Sequence, residues 1–77
     1  MSIEQAITQA LRINFRLRAI VRHIETTDDI NNQLKTCDEY INRAIVHHAD
    51  GDNDTTIQYL NRLNLIFESL TTKYIKL

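Results

Sequence analysis

The chain has 77 residues, 43% of them hydrophobic and 25% charged, which suits one small domain and not two. One glycine (Gly51) and no proline leave too few tight-turn residues for most β-sandwich or hairpin architectures, and no apolar run approaches the ~18 residues of a membrane span or resembles a signal-peptide core. The net charge of −1, with an acidic middle between two basic flanks, argues against a whole-surface nucleic-acid binder, which would be basic overall, and leaves the arginine flanks of the first helix as the one basis for nucleic-acid binding.

The first predicted helix covers about residues 3–25. It opens on Ser2 and Gln5, the two side chains of a capping box. Ala6, Ala10, Ile13, Leu17, Ile20 and Ile24 recur every three or four residues, and Ile3, Ile7, Asn14 and Val21 widen the same stripe. Arg12 and Arg16 lie on one flank of this stripe, Arg18 and Arg22 on the other. Phe15 falls near the polar side and Leu11 at the stripe's edge.

Thr26-Thr27-Asp28-Asp29 breaks the pattern. Thr26 with Asp29, or Thr27 alone, can cap a second helix over 28–49, and the aspartates favour its positive end. Its stripe is Ile30, Leu34, Cys37, Ile41, Ala44, Ile45 and His48, with Val46 pointing away and Tyr40 at the border. A polar link follows, in which Gly51 supplies a left-handed residue and Asp52, Asn53 or Asp54 a cap. The third helix spans 54–75, with Ile57, Leu60, Leu63, Asn64, Phe67, Leu70 and Tyr74 as its stripe. Leu65 projects from that stripe, while Tyr59 and Ile66 edge it. Short links between three helices of about 20 residues predict a single all-α domain over 1–77, an antiparallel up-down-up three-helix bundle. Residues 1–27 carry +2, 28–54 carry −5 and 55–77 carry +2, a segregation that favours packing the three against one another.

Sites of chemistry are not evident. Asp50, Asp52 and Asp54 alternate like the start of a calcium loop, but that loop needs Gly and Glu where Thr55 and Asn61 stand. His47 and His48 diverge by ~100° on a helix, and with His23 and Cys37 they form no ligand spacing. No nucleophilic arrangement or phosphate loop is present. The expectation is therefore no enzyme, no metal and no cofactor. The lone Cys37 suits a reducing, cytoplasmic setting. Leu17, Cys37 and Phe67, near the centres of their stripes, are expected to be structural. Phe15, Leu11, Val46 and Leu65, apolar outside the stripes, suggest surfaces for a protein partner.

Three segments resemble the GAT domains of vesicle-trafficking adaptors of the GGA, target-of-Myb and fungal endocytic type. Asn14-Phe15-Arg16-Leu17 is similar to an Asn-Val-Arg-Val start, Leu34-Lys35-Thr36-Cys37 through Tyr40 to Arg43 resembles the middle helix, and Leu63-Asn64-Leu65-Ile66-Phe67 resembles the third. The resemblance covers about residues 10–75. It implies a three-helix bundle that binds ubiquitin or ubiquitinated cargo, with a partner helix or a small GTPase as further ligands. It also implies a module held near endosome, Golgi or plasma membrane through a parent adaptor, without inserting into the bilayer; the three capped stripes with no ligand set lead to the expectation of a monomer. One ubiquitin site is expected in the groove of helices one and two, with Ile20, Ile24 and Ile30 as apolar contacts and Asp28 and Asp29 as an acidic rim. A second, at Ile57, Asn61 and Leu65 on helices two and three, lacks the family's aspartate, because its Asn-Asp pair falls on Leu60-Asn61. The competing expectation is a free-standing helical regulator, of a phage or bacterial inhibitor type, that binds a protein partner.

Overall fold

A computed structural model describes residues 2–24 and 27–74. Three helices, α1 (Ile3–Val21), α2 (Asp28–Ala49) and α3 (Asn53–Tyr74), pack into an all-α three-helix bundle with no strand among the described residues. Partners across both seams run in opposite chain order: Glu4, Asn14 and Arg18 meet His48, Asp38 and Leu34, while Ala44, Tyr40 and Asp29 meet Thr56, Tyr59 and Lys73.

The caps explain where the helices begin. Ser2 accepts from the Gln5 backbone N–H at 3.2 Å, and Gln5 Oε1 accepts from the Ser2 N–H at 3.1 Å, so the capping box forms. Thr27 caps α2, its hydroxyl accepting from the Ile30 N–H at 3.3 Å; Thr26 lies outside the described residues. Asp52 caps α3 by accepting from the Thr55 N–H at 3.1 Å, and Gly51 takes φ +80° in the link, a region glycine enters without steric cost. The first helix ends at Val21, short of the expected residue 25. His23 and Ile24 donate to the carbonyls of Ile20 and Val21, so the chain tightens into i→i−3 turns there. The apolar period runs on to Ile24, which packs on the core without being helical.

The core is centred differently from the predicted stripes. In α1 the buried positions are Ile7, Ala10, Asn14, Leu17 and Val21, so the residues expected to widen the stripe form its middle, and Ala6, Ile13 and Ile20 are half-buried along one edge. In α2, Ile45 is 40% exposed, and in α3, Ile57 is 44% exposed; both were expected inside, as was Asn64, which is also exposed. Thr56 takes a core position instead, fully buried, because its hydroxyl donates to the Asp52 carbonyl at 2.8 Å and lies 3.4 Å from that of Ala44. Tyr74's side chain lies outside the described residues. Leu17, Cys37 and Phe67 are all buried.

A second polar residue enters the core from α1. Asn14, 8% exposed, donates from Nδ2 to Asp38 Oδ1 at 2.9 Å. Arg18 pairs with the other Asp38 oxygen and donates to the Leu34 carbonyl at 3.2 Å. One carboxylate thus fixes two α1 side chains against α2 and sets the register of that seam. Removing it strands the buried Asn14 amide, a loss of about 1–3 kcal/mol. Asp38→Ala is therefore expected to lower the denaturant midpoint well beyond the effect of Glu39→Ala one residue away, which pairs with the exposed Arg43; equal effects would contradict this role for Asp38.

Candidate protein-binding faces

The first expected site does not assemble. Ile30 is 1% exposed and belongs to the core, so it is corrected from a contact to a structural residue. Ile20 lies two residues from Arg18, about 160° away around the helix. Since Arg18 faces α2, Ile20 is on the opposite flank from the α1/α2 groove. That groove is edged by Arg18, Val21, Arg22, Asn31 and Leu34, and its charge is basic rather than acidic. Ile24 is half-buried, while Asp28 and Asp29 are exposed. Asp29 accepts from Gln33 at 3.0 Å and lies 4.0 Å from Lys73 on α3, so it belongs to the α2/α3 side.

The residues of the second expected site do share a face, but not the one expected. Tyr59 looks toward α2, where it meets Tyr40 and His47. Ile57 and Asn61 each lie two residues from Tyr59, about 160° around the helix. Ile57, Asn61 and Leu65 therefore form an i, i+4, i+8 line along the outside of α3 instead of lining the α2/α3 groove. Leu65 is 67% exposed. Asp54 and Glu68 stand seven residues to either side of Asn61, both exposed and neither in an ion pair among the described residues. The result is an apolar line between two carboxylates. A shallow concavity lined by Leu65, Glu68, Ser69, Thr72 and Lys73 continues it.

The true α2/α3 groove carries a cluster that sequence reasoning did not assemble. His47 stacks on Tyr59 with ring centroids 5.7 Å apart and an interplanar angle of 16°. The Arg43 and Arg62 guanidinium carbons lie 5.9 and 5.7 Å from the same ring's centroid. Arg43 donates to the Tyr59 hydroxyl oxygen at 3.3 Å and to Glu39 at 3.0 Å, and these two bonds, Tyr59's first, raise its pKa above the ordinary value. The signal was the pairing of Tyr40 with His47, seven residues apart, and of Tyr59 with Arg62, three apart. Hydrogen bonds from Thr55, side chain and then backbone, lower the Asp52 carboxyl pKa.

No group of three or more His, Cys, Asp or Glu residues with metal-binding geometry occurs among the described residues. No described helix is long and apolar enough to cross a membrane. Cys37 is fully buried, and burial first, then the nearby Asp38 charge, pushes its thiol up to about 11. A pKa raised by folding stabilises the native state below the unfolded thiol's value and is lost as pH climbs through the folded one. Stability is therefore expected to fall between about pH 9 and 11, and Cys37→Ala to remove part of that alkaline decline; identical alkaline profiles would contradict the assignment.

Comparison of the chain with protein-family models, with curated proteins and with solved structures finds no significant match.

Proposed function

We propose that this protein is a non-catalytic interaction module that binds ubiquitin through the outer face of α3. The observation that carries this reading is the line Ile57–Asn61–Leu65 set between Asp54 and Glu68. Its two apolar side chains are exposed, and its charge suits a partner whose binding face is apolar with a basic rim, as expected for ubiquitin. The aspartate that the family carries at the position of Asn61 is absent here. Asp54 and Glu68, two helical turns away in each direction on the same face, supply the negative charge in its place. The shallow, open concavities of the surface favour a binding role over catalysis, which needs a site that excludes water.

A face this small binds weakly, with a dissociation constant on the order of tens to hundreds of micromolar. Titration with ubiquitin tests the reading. Saturable binding in that range, weakened when Asp54 and Glu68 are both changed to lysine, is the expected result. No saturable binding at millimolar ubiquitin would overturn it.

A further inference from the structure

The outer face of α1 has the opposite character from that of α3. Phe15 is 75% exposed and Leu11 46%, and the two are one turn apart. Beside them, on the same helix, stand Arg12 and Arg16, which with Thr8 line a shallow apolar concavity around both side chains. Both arginines are exposed. Neither makes an ion pair among the described residues, although Arg18 and Arg43 on other faces do. A protruding aromatic ringed by unpaired cations asks for an apolar surface bordered by carboxylates.

The molecule itself carries such a surface. Ile57 and Leu65 on α3 are separated by about 12 Å along the helix axis, enough to admit one aromatic ring between them above Asn61. Arg12 and Arg16 are about 6 Å apart along α1, and Asp54 and Glu68 about 21 Å apart along α3, an offset of about 7.5 Å at each end that an arginine and a carboxylate side chain span together. Both faces point away from the shared core, so they cannot meet within one chain.

We propose that the α1 face of one copy docks on the α3 face of a second copy, with Phe15 seated between Ile57 and Leu65, and Arg12 and Arg16 set against Asp54 and Glu68. Such an interface is heterologous: each copy keeps one face of each kind unoccupied, so association continues past the dimer unless the rotation closes a ring. Its small area and surface charge make it weak and sensitive to salt. Self-association and ubiquitin compete for α3, but the proposal rests on the two faces of this chain and stands or falls without ubiquitin.

Sedimentation across a concentration series tests it. The weight-average mass of the full chain is expected to rise from the 9.0 kDa monomer toward and beyond twice that value at millimolar protein, and to return to the monomer in high salt. Arg12→Glu with Arg16→Glu places acid against acid, and Asp54→Lys with Glu68→Lys places base against base. Each pair alone is expected to hold the protein monomeric with its helical melt unchanged. All four changes in one chain restore complementarity and are expected to restore association. If a reversal disturbs folding, the milder pair Arg12→Gln and Arg16→Gln must still lower association. A monomer at millimolar wild-type protein, association that survives either reversal, or a folded four-fold variant that stays monomeric would overturn the proposal. Ubiquitin binding by the monomeric Arg12→Glu, Arg16→Glu variant reports on the α3 face separately, so the two readings fail independently.

Discussion

Phe67→Ala is expected to leave the domain largely unfolded at room temperature. Phe67 is 5% exposed in the core of α3, and truncating a buried phenylalanine costs about 3–5 kcal/mol in lost burial and residual cavity. A core in a chain this short supplies only about 3–5 kcal/mol in total, so the loss matches the whole stability. Phe15→Ala provides the control. It makes the same chemical change at a position 75% exposed, where the expected effect is within about 0.5 kcal/mol. Denaturant melts followed by circular dichroism separate the two; comparable losses would mean that α1 and α3 bury different faces from those described.

The second large effect is on binding. Leu65→Asp places a charge at the most exposed large apolar position of α3, one of the two apolar anchors of the proposed ubiquitin contact. A central apolar anchor typically contributes upward of 2 kcal/mol at an interface, so the dissociation constant is expected to rise at least tenfold, beyond detection for a contact this weak. Leu65 is 67% exposed, so the thermal midpoint is expected to stay put. Val46→Asp, on the exposed side of α2 and 57% exposed, is expected to leave ubiquitin affinity unchanged. Equal loss from both substitutions would indicate a nonspecific apolar effect.

The bundle was legible in the sequence because caps and period are local. Ser2 with Gln5, Thr27, and Gly51 each act within four residues of a helix end, and the three-four spacing survives any rotation of the stripe. The rotation itself was not legible. A stripe containing both Ile13 and Asn14 has two plausible centres by hydrophobicity, and Asn14 becomes central only because Asp38, 24 residues away, satisfies its amide. Thr56 escaped notice for the same reason: its burial depends on carbonyls of Asp52 and Ala44, and a hydroxyl with no visible acceptor counts as polar. Once the centre of each helix moves, its edges move too. Ile20 then turns out to sit across α1 from the groove it was expected to line, Ile30 sinks into the core, and Ile57 and Leu65 come out along one side of α3. The residue types of a binding face could be read from the chain, but which helix faces outward at each of them depended on pairs distant in sequence.

The claim that the outer face of α3 is the protein's binding surface is tested most directly by mapping backbone amide shifts as ubiquitin is added to isotope-labelled protein. The amides that move most are expected to cluster at Ile57, Gln58, Asn61, Leu65 and Glu68, while those of Ile20, Asp28 and Ile30 stay still. Shifts concentrated at Ile20, Ile24, Asp28 and Asp29, or no shifts at millimolar ubiquitin, would contradict it.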